Sequence, residues 1–98
     1  MEDVRAAHRV LMDRVLHGPG ETDPRQRAQA FANAGVDAAL QPLIGKVATE
    51  PTRITDADLD VAGYTGDEIF EMVVAAAVGE ATQMYESALA ALDEAAAG

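Results

Sequence analysis

From Gly66 to Asp93 the sequence holds no proline and, after Gly66, a single glycine, Gly79. Over that length Ile69, Phe70, Val73, Val74, Ala76, Ala77, Val78, Ala81, Met84, Tyr85, Ala88, Leu89 and Leu92 recur at steps of three and four residues, the spacing of one long helix. Every residue from Met72 to Val78 is apolar, so the helix is apolar all round there and is expected to be buried on most sides. Gly79 costs about 1 kcal/mol relative to alanine in mid-helix, a cost that is tolerable where another helix crosses closely.

Local signals divide the rest of the chain into shorter helices. A first helix is predicted over about Glu2–Leu16, with Val4, Ala7, His8, Leu11 and Val15 on one face. Gly18-Pro19-Gly20 ends it. Asp23-Pro24 reads as an N-cap followed by proline at the first helical position, opening a helix to about Ala34 that Gly35 closes. Its apolar side is Ala28, Phe31 and Ala32. Pro42 fits the start of a further helix, with Leu43, Ile44 and Val47 facing inward and Pro51 as its stop. Two helix starts then echo each other. Thr55 with Asp58 is an approximate capping box opening a short helix near Thr55–Ala62, and Thr65 with Glu68 is a full one opening the long helix. Glu94–Gly98 is expected to fray. No stretch alternates apolar and polar residues long enough for a strand, so the expected fold is a single all-α domain over residues 1–98, a helical bundle with a long buried C-terminal helix.

Composition sets a tension. Of the 98 residues 21 are alanine, while Leu, Ile, Val and Phe together supply another 21. With a formal charge of -10, that bulky apolar fraction lies near the border of disorder. Alanine resolves the conflict in a helical chain, because it has the highest helix propensity and lets helices approach closely. Small Ala-lined helices give one subunit a modest core, so much of the stabilising burial is expected between subunits.

The same counts exclude chemistry. Without cysteine there is no disulfide, thiolate metal site or thiol nucleophile. Two histidines make no zinc site without carboxylate help, and no metal or cofactor is expected. Seventeen acidic against seven basic residues argue against nucleic acid or an anionic membrane as partner. The longest apolar run, Met72–Val78, is far shorter than the about 20 residues a bilayer requires. The acidic N-terminus is unlike a signal peptide, and a cytoplasmic location is expected.

The stretch Ala62-Gly63-Tyr64-Thr65-Gly66-Asp67-Glu68-Ile69-Phe70-Glu71 leading into the Ala/Val helix, with Tyr85-Glu86-Ser87-Ala88-Leu89-Ala90-Ala91-Leu92 after Gly79, resembles the C-terminal helix of the carboxymuconolactone decarboxylase family, which has an alkylhydroperoxidase D-like fold. Val15–Gly20 and Pro42–Ala48 give weaker support. The resemblance implies an all-helical subunit that assembles into trimers, hexamers or related oligomers. Active members place a Glu before a Cys-x-x-Cys and a His shortly after. The corresponding place here holds Ala48-Thr49-Glu50-Pro51-Thr52-Arg53, with no cysteine and no histidine after His17, so none of the redox residues carries over.

Four residues remain as candidates for chemistry. Glu80 follows the apolar run and is either a carboxylate in apolar surroundings, able to act as a general acid or base, or part of a solvated face with Gln83 and Glu86. Tyr85 either offers its hydroxyl to a ligand or packs its ring in a helix interface. His8 is either a proton shuttle or a satisfied interface histidine. Arg53 either binds an anion beside Thr49 and Thr52 or pairs with Asp56. His17, at a helix C-terminus, suits a capping role and lies across the helix from His8, so the two cannot chelate one metal. Asp56, Asp58 and Asp60 lack the glycine and terminal glutamate of a calcium loop.

The leading expectation is a redox-inactive helical subunit with a structural or ligand-binding role. It forms a homo-oligomer, or a hetero-oligomer with a related, cysteine-containing subunit, and takes a small organic ligand. The alternative is a cofactor-free lyase, decarboxylase or isomerase acting on a small organic acid or lactone, with carboxylate, Tyr or His groups at a subunit interface. A small acidic interaction module is a weaker third.

Overall fold

The computed structural model describes residues 2–97 and is all-helical. The helices are α1 (Glu2–His17), α2 (Pro24–Ala32), α3 (Gln41–Thr49), α4 (Asp56–Leu59) and α5 (Gly66–Ala97), with a 3-10 turn over Pro51–Arg53. The capping chemistry sets the starts. Asp23 accepts from the Arg25 N–H while the Gln26 side chain accepts from the Asp23 N–H, and Pro24 occupies the first turn. Thr55 and Asp58 form the reciprocal pair that opens α4. Thr65 and Glu68 do the same for α5, at 2.9 and 3.1 Å.

Several ends differ from expectation. The second helix stops at Asn33, which takes the left-handed conformation (φ 51°) itself, so Gly35 lies beyond the cap. The fourth is shorter than expected, since Asp60 leaves helical geometry and the chain turns back at Gly63 (φ 89°). The last runs helical to Ala97 rather than ending near Asp93, and Gly98 of the expected tail lies outside the described residues.

The core is built by α2, α3 and the first half of α5. Ala30, Val36, Leu40, Leu43, Ile44, Val47, Ile69, Met72, Ala75 and Ala76 are buried, with Leu40, Ile44 and Met72 the largest fully enclosed side chains. Gly79 is where α2 crosses. A Cβ there would collide with the Phe31 carbonyl, lying only 2.7 Å from its carbon atom, so glycine permits an approach that alanine forbids. The expectation of a close crossing at Gly79 is met.

A second device fixes the α1–α2 connection to α5. Glu71, half-buried, accepts from the backbone N–H of Glu21 (2.7 Å) and from the N–H and hydroxyl of Thr22 (3.1 and 2.9 Å). Burial pushes its carboxyl up, but those three donors and the nearby Arg27 charge outweigh burial and hold it below its ordinary value. Arg27 is itself buried and donates to the Val15 carbonyl in the last turn of α1 (3.2 Å). Lys46 and Asp58 join α3 to α4 at 2.8 Å, and this hydrogen bond is the chief reason the Asp58 carboxyl lies below its ordinary value.

Within one chain α5 is not buried on most sides between Met72 and Val78. Met72, Ala75 and Ala76 are enclosed, Val73, Val74 and Val78 are half-buried, and Ala77 is exposed. The apolar all-round pattern resolves into two opposite faces. One holds Ile69, Met72, Ala75, Ala76, Gly79 and Thr82 and meets the bundle. The other begins at Phe70, which is 69% exposed, and passes through Met84 at 62%. Among the described residues no helix is long and apolar enough to cross a membrane.

Candidate functional site

Antiparallel packing of α1 on α5 brings together two of the sequence candidates that lie far apart along the chain. The rings of His8 and Tyr85 stack with centroids 4.6 Å apart and planes inclined by 24°. They form part of a groove of about 360 Å³ whose other walls are Arg5, Arg9 and Met12 from α1 and Glu86 and Leu89 from α5. That volume is at the small end of the range for small-molecule sites, about 300–1,000 Å³. Its position follows from α1's inward stripe of Arg5, His8, Met12, Val15 and Leu16. This stripe is rotated from the expected face, since Val4 and Leu11 are exposed.

Hydrogen bonding around His8 fixes its tautomer. Thr82 gives its only hydroxyl proton to the Val78 carbonyl at 2.7 Å, the usual back-bond of a helical threonine. Its oxygen, 3.0 Å from His8 Nε2, is therefore the acceptor, and Nε2 carries the hydrogen. In the neutral ring Nδ1 then holds the lone pair, and among the described residues it has no partner. The Tyr85 hydroxyl is buried and likewise has no protein partner. The groove thus combines the stacked rings with the side chains of Arg5 and Arg9 and the apolar side chains of Met12 and Leu89.

Other candidates fall elsewhere. Glu80 is half-buried, is not part of the groove, and has no hydrogen bond or ion pair among the described residues. Arg53 is exposed in the 3-10 turn and lies 3.9 Å from Glu50, and among the described residues it makes no ion pair with Asp56. His17 is the last residue of α1 and is exposed. No group of three or more His, Asp or Glu side chains among the described residues is gathered to hold a metal ion. Sequence reasoning missed Arg5, Arg9 and Thr82, for which the one available signal was the Arg5–Arg9 spacing on the His8 side of α1.

A second groove, of similar volume and almost wholly apolar, lies between α4 and the start of α5. It is walled by Leu59, Gly66, Ile69, Phe70 and Val73. It continues into the outer face of α5, where Phe70, Val74, Ala77, Ala81, Met84, Ala88 and Ala91 follow one another at alternating steps of four and three residues. This is the 3.5-residue repeat of a coiled-coil seam, and it lies on the side of α5 opposite the core.

Compared with protein-family models, curated proteins and solved structures, the chain matches none.

Proposed function

We propose that this chain is a cysteine-free, self-assembling helical subunit, in which the outer seam of α5 is covered by α5 of a second copy. The observation that carries the reading is the heptad repeat from Phe70 to Ala91, exposed at every position except the half-buried Val74, on a 32-residue helix. Surface area supports it. A compact monomer of 10.3 kDa exposes about 5,400 Å², whereas this chain exposes 6420 Å². The excess of roughly 1,000 Å² is close to the about 800 Å² that each partner contributes to a standard interface.

Side-chain size favours antiparallel pairing. Centred between Ala81 and Met84, that arrangement sets Ala81 against Met84 and Val74 against Ala91, so large residues meet small ones there, while Ala77 meets Ala88. A parallel pair would stack Met84 on Met84 and leave four alanine-only layers, at 77, 81, 88 and 91, against two in the antiparallel pair. The flanking positions agree: Glu80 faces Ser87 and Glu94 faces Val73, so no two carboxylates oppose. The likeness of Ala62–Leu92 to the C-terminal helix of the carboxymuconolactone decarboxylase family fits an oligomeric, redox-inactive member.

Sedimentation velocity across the micromolar range tests the proposal. The wild-type chain is expected to sediment as a dimer or higher oligomer. Ala77→Glu, at an exposed position that the monomer fold tolerates, is expected to yield monomer with unchanged helical circular dichroism. A wild-type monomer throughout the range would sink the reading, as would an Ala77→Glu chain that still associates. Recovery of a different helical chain on the seam would replace the second copy by a partner.

A further inference from the structure

We infer that the apolar groove between α4 and the start of α5 receives the last turns of α5 from a second copy, each copy placing its own helix end in the other's groove. The inference rests on the antiparallel seam proposed above and deepens it by naming what fills the groove.

Helix length carries the argument. The seam is centred between Ala81 and Met84, and α5 itself, running Gly66–Ala97, is centred between Ala81 and Thr82. Two such helices laid antiparallel in that register end almost level, with Ala97 of one copy beside Glu68 of the other. Leu59 of α4 and Gly66, Ile69, Phe70 and Val73 of α5 wall the groove of about 360 Å³ at that level. Continuing the seam one layer beyond Val74 and Ala91 sets Phe70 of one copy against Ala95 of the other. A twofold axis makes the contact twice, once at each end of the pair.

Each surface lacks what the other offers. Phe70 is 69% exposed and Leu59 40%, so the groove presents large apolar side chains that one chain leaves uncovered. The far end of α5 is exposed at every residue from Ala90 to Ala97, and six of those eight are alanine or leucine. Small residues opposite large ones interdigitate, as they do in a packed core. In a parallel pair Phe70 would meet Phe70, each beside its own Leu59, and the alanine ends would face only each other. The charged residues of the helix end do not oppose the fit. The heptad places Asp93 on the side of the helix away from the seam and Glu94 on its flank, so both carboxylates stay in water while Ala91 and Ala95 turn inward.

The test uses the absence of cysteine from the chain. Asp93→Cys takes a single nitroxide label at an exposed position that the seam does not use. This labelled chain is mixed with nitrogen-15 wild-type chain, so any broadening in the spectrum passes between copies. The amide signals of Leu59, Gly66, Phe70 and Val73 are expected to broaden and to recover when the nitroxide is reduced, while those of residues 92–97 stay sharp. Leu59 lies outside the seam, and Leu59→Ser is expected to weaken association about tenfold with unchanged helical circular dichroism. A wild-type chain that associates but shows broadening at residues 92–97, or at neither set, would overturn this inference while self-assembly stands. A folded Leu59→Ser chain that associates as tightly as the wild type would do the same. A wild-type chain that sediments as a monomer would remove the seam and the groove's occupant together.

Discussion

Glu71 shows how one carboxylate can fix a connection between helices. Its three hydrogen bonds come from two consecutive residues, Glu21 and Thr22, and Gly20 lies so close that a Cβ there would meet the carboxylate. Because the folded carboxyl is held below its ordinary value of 4.5, its contribution to stability is complete above that value and is lost as pH falls through the lower, folded one. Glu71→Gln replaces one acceptor oxygen with an NH2 group facing backbone donors, and is expected to cost about 1–3 kcal/mol near neutrality. Urea unfolding at a series of pH values measures both effects. The wild type should lose more stability between pH 6 and the acid range than the glutamine variant, the gap closing as Glu71 protonates. Equal slopes would show that the carboxylate has the same environment folded and unfolded. Tyr64 is the opposite case: its hydroxyl donates to Asp37 at 2.6 Å, which raises the phenol above its ordinary value, so that contribution persists until strongly alkaline pH.

Between elements, Gly79 decides how near α2 can come to α5. Gly79→Ala gains about 1 kcal/mol of helix propensity but drives a methyl group into the Phe31 carbonyl, a backbone atom that cannot swing aside. Overpacking of this kind costs about 1–3 kcal/mol, so the variant is expected to be less stable than the wild type by chemical denaturation. A more stable variant would mean that the helices separate easily at that point. Much of this level was legible in the sequence. Asp23-Pro24, Thr55 with Asp58, and Thr65 with Glu68 announced three helix starts through chemistry confined to four residues, and Gly79 announced a crossing. The face that α1 presents was not legible, because Val4, Leu11, Met12 and Leu16 permit two stripes and only α5 chooses between them. The same is true of the groove. His8 and Tyr85 were each identifiable as candidates, but their stacking depends on the antiparallel packing of α1 on α5, which no local signal encodes. The run around Met72–Val78 was legible as apolar and not as two-sided, since a count of apolar residues does not separate a face turned to the core from one turned outward.

The whole molecule is longer than its chain length calls for. Its extents are 51 × 28 × 21 Å and its Cα radius of gyration is 15.0 Å, against about 13 Å for a compact chain of this size. The excess comes from α5, whose residues beyond Leu89 are exposed all the way to Ala97. Eight residues of that kind have no anchorage of their own, and an isolated helix that short is unstable in water. The far end of α5 therefore acts as a gauge of company. Its amide protons should exchange with solvent deuterium almost at the free-peptide rate in dilute solution and slow down as concentration rises, while amides at Ile44 and Met72 remain slow throughout. Protection that does not vary with concentration would mean that this end of the rod is held by its own chain.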